Sequence, residues 1–121
     1  MKFDHLVVFC TCPADTAREL TEMLLARRLA ACVNCLPGIE SSYWWQGDIQ
    51  HDQETLLVIK TRSDRFSQIQ DAIPEIHPYD VPEIIALPIV EGSDDYLRWI
   101  DACLGFEQGS VEPESATNND E

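Results

Sequence analysis

Apolar positions along this chain switch between a period of two and a period near four, and the switches predict a succession of strands and helices. Residues 5–12, His5-Leu-Val-Val-Phe-Cys-Thr-Cys, are β-branched and apolar and close at Pro13, as a buried strand does. Residues 14–29 then place Ala17, Leu20 and Leu24, with Met23, on one helical face. Asp15 in the first turn and Arg27 and Arg28 in the last sit where the helix dipole favours their charge. Residues 31–36 return to strand, Pro37-Gly38 predicts a kink or bulge, and the strand resumes through Tyr43-Trp44-Trp45. Gly47-Asp48 predicts the hairpin turn, and residues 54–61 the return strand, so this hairpin is unusually long.

Ser63 or Asp64 can cap a second helix that carries Phe66, Ile69 and Ile73 and ends near Pro74. The segment His77-Pro78-Tyr79-Asp80-Val81-Pro82 reads as a turn. Residues 83–90 read as a fourth strand, in which Pro88 fits only an edge or a bulge. Ser93 caps a third helix that turns Tyr96, Trp99, Ile100 and Cys103 inward, with Gly105 as its stop. The order β-α-β-β-α-β-α is that of an α+β, ferredoxin-like βαββαβ sandwich with one added C-terminal helix.

Length supports one domain, residues 1–106. From Glu107 onward the chain is rich in Glu, Ser and Asn with Val111 as its one large aliphatic residue, and residues 107–121 are expected to form a disordered acidic tail. A chain that is 45% hydrophobic can build a core without disulfides or metal. The formal charge of −14 leaves no basic stripe to displace phosphate counterions, so nucleic acid and anionic membrane surfaces are excluded as partners. No apolar run approaches the length of a membrane span, and the opening residues Met1-Lys2-Phe3-Asp4-His5 do not read as a signal peptide. Together with five cysteines, an odd number that argues against a disulfide framework, these features predict a cytoplasmic protein.

Candidate chemistry is sparse. Cys32 and Cys35 are three apart on a strand and point to opposite faces, which predicts packing rather than a shared metal. Cys10 and Cys12 share a face at a strand end and read either as buried thiols or as ligands for a soft metal such as Cu(I). His77, beside Pro78-Tyr79, reads as structural or as a ligand; His5 and His51 carry no further signal. Glu54, Lys60 and Glu83 are either buried and paired or lie on an open face. No nucleophile elbow, phosphate loop or zinc-protease helix is present, and an enzyme is not expected. Adjacent rings on opposite faces at Trp44 and Trp45, together with open sheet edges, predict strand-mediated homo-oligomerisation.

Five segments together resemble one family: residues 29–34 (Leu-Ala-Ala-Cys-Val-Asn), residues 43–47 (Tyr-Trp-Trp-Gln-Gly), Ile59-Lys60-Thr61, residues 77–84 (His-Pro-Tyr-Asp-Val-Pro-Glu-Ile) and residues 92–99 (Gly-Ser-Asp-Asp-Tyr-Leu-Arg-Trp). In order and spacing they are similar to the divalent-cation tolerance proteins of the CutA family, over about residues 5–104. The resemblance implies a homotrimer built through edge strands and the long hairpin, and a non-enzymatic role in tolerance of, and response to, copper and other divalent cations. It also implies a metal site at the Cys matching Cys10 and at two consecutive His, of which the second is His77 and the first falls on Ile76. Cys12 is a candidate for the missing ligand. The alternative it implies is a trimeric regulatory or scaffold module, similar to PII signalling proteins, that binds a small molecule or protein partner in clefts between subunits. Lys60, Tyr79 and Glu83 are the candidates for such a cleft.

Overall fold

The computed structural model describes residues 3–106; the expected tail at 107–121 lies outside them. The elements are β1 (His5–Cys12), α1 (Ala14–Ala26), β2 (Cys32–Trp45), β3 (Asp48–Arg62), α2 (Phe66–Ala72), β4 (Ile85–Pro88) and α3 (Asp94–Cys103). All strand pairs are antiparallel and the sheet order is β2-β3-β1-β4. This is the expected ferredoxin-like sandwich with an added C-terminal helix.

The two faces of the sheet differ. Val8, Cys10 and Cys12 of β1 stand opposite Ile59, Leu57 and Thr55 of β3. This near face packs on Ala17, Leu20 and Leu24 of α1 and on Ile69 and Ile73, and forms the core. Each buried Val, Leu or Ile among them contributes about 1.5–3 kcal/mol by leaving water. The far face carries Val7, Phe9, Leu56 and Val58, all half-buried, together with Ile85 and Leu87, which stay exposed. Helix α3 covers only one end of that far face. Asp101, which is buried, accepts from His5 Nε2 at 2.8 Å and from Arg62 Nη1 at 2.5 Å, and the Arg62 guanidinium lies 4.1 Å from the centre of the Phe106 ring.

Several elements depart from the sequence pattern. Helix α1 stops at Ala26 rather than at residue 29, so Arg27 and Arg28 lie beyond its last turn. The chain closes it with a Schellman motif, Leu29 N–H to Leu24 O at 2.9 Å and Arg28 N–H to Leu25 O at 3.1 Å. Arg28 takes the left-handed conformation usually left to Gly, at φ 57°, and its guanidinium donates to Cys103 O. Neither Ser63 nor Asp64 caps α2; residues 63–65 form a 3₁₀ turn and Asp64 instead pairs with Arg62 and Arg65. Ser93 does cap α3, accepting from Tyr96 N–H at 3.2 Å, whereas Tyr96 is exposed rather than turned inward. Strand β4 is shorter than expected, and Pro88 sits in it at the sheet edge, where its missing N–H costs no ladder bond.

The long hairpin positions the functional region. The expected kink at Pro37-Gly38 is a bulge: Leu36 pairs with Leu56 but Ile39 with Glu54, so β2 carries one extra residue, with Gly38 at φ 75°. The insertion flips the alternation, so that Ile39, Tyr43 and Trp45 share the far face with Glu54 and Gln50. The hairpin closes one residue earlier than expected, at Gln46-Gly47, both with positive φ as in a type I′ turn.

Candidate functional site

Two side chains moor the turn of residues 77–83 to the sheet. His77, which is buried, donates from Nε2 to Thr11 O at 2.8 Å, and its Nδ1 accepts from Tyr79 N–H at 3.2 Å. The Tyr79 hydroxyl donates to Glu54 Oε2 at 2.9 Å. Glu54 is 7% exposed, a carboxylate at the inner end of the bulged hairpin. Burial first, and then that carboxylate, push the Tyr79 phenol above its usual range, so it keeps its proton and donates. Between this turn and the hairpin lies a cleft of about 850 Å³, a size that holds a small molecule, and Tyr43, Trp45, Glu54, Tyr79 and Glu83 are among its lining.

The structure brings some of the sequence candidates together. Tyr79 and Glu83 line the same cleft. Lys60 does not reach it: it stands six residues up β3, roughly 20 Å away, where its ammonium donates to Asn34 Oδ1 and lies 4.0 Å from Cys32 Sγ. Long-range pairing in the hairpin puts it beside Cys32 and not beside Glu54.

Cys10 and Cys12 are both wholly buried behind the site, on the near face of the sheet. Burial above all, with the neighbouring Cys12 and the carboxylates Glu83 and Glu54, pushes the Cys10 thiol up to about 12. Cys12 rises to about 11, again chiefly by burial, with Cys35, Glu54 and Asp15 adding to it. Both are therefore thiols near neutral pH, whereas a metal ligand or nucleophile is the thiolate. His77 sits directly on Thr11, the residue between the two cysteines, but both of its ring nitrogens are engaged. Among the described residues no group of three or more His, Cys, Asp or Glu side chains is gathered as for a metal ion. The set Cys10, Cys12 and His77 is thus adjacent but does not stand ready as a ligand sphere. Cys32 and Cys35 do face opposite ways, Cys32 toward Lys60 and Cys35 toward Thr21 of α1, and neither is buried, because β2 lies at the sheet edge. Exposed His51, on the hairpin, bonds Ser42 through Nδ1 at 2.8 Å.

Sequence reasoning left Glu54 undecided and missed the Thr11 carbonyl. Alternation along β3 put Glu54 in phase with Leu56, but only the packed turn supplies its donor.

Known proteins agree with this architecture. A profile of the CutA1 divalent ion tolerance protein family matches residues 6–103. The divalent-cation tolerance protein CutA of Thermus thermophilus is 47% identical over 95 residues, covering 78% of this chain and 92% of that protein. Protein CutA of Homo sapiens is 44% identical over 93 residues, which are 76% of this chain and 52% of that protein, so the chain spans about half of that relative. The crystal structure of CutA1 from Oryza sativa superposes with a TM-score of 0.81 at 41% identity, over 88% of this chain and 97% of that one. Among the described residues no helix is long and apolar enough to cross a membrane. On the strength of the match over nearly all its described length, the chain belongs to the CutA1 family of divalent ion tolerance proteins.

Proposed function

We propose that this protein is a non-enzymatic, cytoplasmic divalent-cation tolerance protein that works as a homotrimer, with the cleft at residues 77–83 as its working surface. The observation that carries this reading is the mooring of that cleft: a buried carboxylate, Glu54, and a buried imidazole, His77, hold the turn over a preformed space of ligand size. Buried polar groups of this kind are spent on holding a surface in shape. A binding role rather than catalysis is supported by the two thiols nearest the site, which burial keeps protonated. Trimer formation is supported by the far face, where Ile85 is 50% and Leu87 44% exposed beside half-buried Val7 and Phe9, and by the open edges of β2 and β4. Native mass spectrometry tests it: three times 13.7 kDa is expected, and a monomer at micromolar concentration refutes it.

Copper at Cys10, Cys12 and His77 is a second reading, favoured by one observation: His77 is bonded to the residue between the two cysteines. Reduced protein is titrated with Cu(I) and separately with Cu(II), beside Cys10→Ala, and retained metal is counted after dialysis against a weak chelator. Near one metal per subunit, lost in the variant, supports the thiol site. No retention, or equal retention in both proteins, removes it and leaves the cleft, acting as in a trimeric regulatory module of the PII type.

A further inference from the structure

One of the cysteines has a neighbour that the others lack. Cys32 opens β2 directly opposite Lys60 of β3, and the Lys60 ammonium lies 4.0 Å from Cys32 Sγ. Residues directly opposite in an antiparallel pair share a face, with Cβ atoms about 5 Å apart, so backbone register holds these two side chains together. Asn34, two residues along the same face of β2, accepts from the ammonium through Oδ1 and keeps Nζ near the thiol. Tyr96 of α3 hydrogen-bonds to the same thiol. Cys32 and Lys60 are both half-buried, shielded in part but not sealed. The other thiols have no such amine. Cys10 and Cys12 are wholly buried, Cys35 meets the Thr21 hydroxyl, and Cys103 has beside it the Arg28 guanidinium, which keeps its proton and does not act as a nucleophile. The Cys32–Lys60 pair lies within one chain, roughly 20 Å from the cleft, so it depends neither on the reading of the cleft nor on a partner copy.

A thiol and a primary amine held this close have a chemistry that neither has alone. Peroxides oxidise a thiolate to a sulfenic acid, which condenses with a neighbouring thiol or nitrogen. We propose that Cys32 and Lys60 are a peroxide-sensitive modification site that closes into a covalent sulfenamide cross-link between β2 and β3. Hydrogen peroxide is the oxidant, and the steps balance. Cys32 Sγ, as the thiolate, attacks one peroxide oxygen; the O–O bond breaks, the sulfur is oxidised and the peroxide is reduced. The departing hydroxide takes a proton from the Lys60 ammonium and leaves as water. That proton transfer puts a neutral amine beside the new sulfenic acid. The Nζ lone pair then forms the N–S bond, and the sulfenic hydroxide leaves with a proton from Nζ as a second water. Closure removes the Lys60 charge and the donor that Asn34 holds. A reducing thiol that attacks Cys32 Sγ breaks the N–S bond and restores both.

The test uses the full chain, reduced, freed of reductant and kept with a metal chelator, and hydrogen peroxide is the probe. Intact mass and a tryptic map are read before and after treatment for the parent, Cys32→Ser and Lys60→Arg, with circular dichroism to verify the folds. Trypsin cuts after Lys60 only while that amine is free, so the cross-link leaves residues 29–62 as one looped peptide. The parent is expected to become two hydrogens lighter in that peptide and to lose cleavage after Lys60, and dithiothreitol should reverse both changes. Cys32→Ser should keep Lys60 free. Lys60→Arg keeps the positive charge but offers no amine, so its Cys32 should gain oxygen instead of a link. Cleavage after Lys60 that survives the oxidation of Cys32 overturns the proposal, whether Cys32 is then found joined to Cys35 or Cys103 or carrying added oxygen alone. A block at Lys60 that persists in Cys32→Ser, or a link that retains a peroxide oxygen, also overturns it. So does a parent Cys32 left unmodified by peroxide that oxidises free cysteine.

Discussion

Removing one oxygen atom, in Tyr79→Phe, tests whether the turn of residues 77–83 is moored as described. The ring stays, so its apolar burial and its packing 4.7 Å from the His77 ring stay with it. What goes is the 2.9 Å hydrogen bond to Glu54 Oε2, which leaves a carboxylate that is 7% exposed short of a donor. Hydrogen bonds to charged groups contribute about 1.5–3 kcal/mol. Tyr79 itself is 40% exposed, so water can replace part of the loss, and the lower end, about 1.5 kcal/mol, is the expected cost. That is roughly a tenfold shift in the unfolding equilibrium and, for a domain of this size, a fall in Tm of roughly 6–12 °C. Urea unfolding followed by far-UV circular dichroism measures it, at several protein concentrations because assembly couples to folding. Glu54→Gln is the companion: its amide oxygen can still accept from Tyr79, so it should cost less than Tyr79→Phe. A change below about 0.5 kcal/mol in Tyr79→Phe, the range of ordinary surface substitutions, would mean that Glu54 finds its partners in water, and the argument for a moored cleft fails.

Two further outcomes follow from buried groups. The folded Cys10 pKa of about 12 lies above the usual 9.0, so its contribution is complete below pH 9 and is lost as pH rises toward 12; by pH 10.5 the loss is about 2 kcal/mol, and Cys10→Ala should flatten the decline between pH 8 and 10.5 in urea titrations, an unchanged slope arguing that this thiol is not the group concerned. Asp101→Ala strands Arg62 and His5 on the sheet, and breaking such a buried pair costs about 3–5 kcal/mol; hydrogen exchange should show α3 losing protection before the core strands do, and a uniform loss would place Asp101 in the global core instead.

Much of the fold was legible in the chain itself. Period-two and period-3.6 patterning placed every strand and helix, and Ser93 announced the start of α3, because these signals depend on neighbours within a few residues. The same patterning put Cys10 and Cys12 on one face and separated Cys32 from Cys35. Helix α1 ended early because Leu29 had to be buried and Arg28 could reach Cys103 across the fold. That is a contact between residues 75 apart, and no local signal carries it.

The candidate site was legible only in part. The turn at His77-Pro78-Tyr79 and the bulge at Pro37-Gly38 were marked by their residue types, because Pro and Gly restrict or free the backbone wherever they occur. Which ring faces which carboxylate was decided by tertiary structure. One extra residue in β2 reversed the side on which Tyr43 and Trp45 emerge, Glu54 found its donor 25 residues away, and packing against α1 and α2 turned two candidate ligands into buried, protonated thiols. The sequence alone determined the elements, since local sterics and hydrophobic period set them; only the folded chain decided the chemistry, since burial and long-range register set the charge and the direction of each functional group.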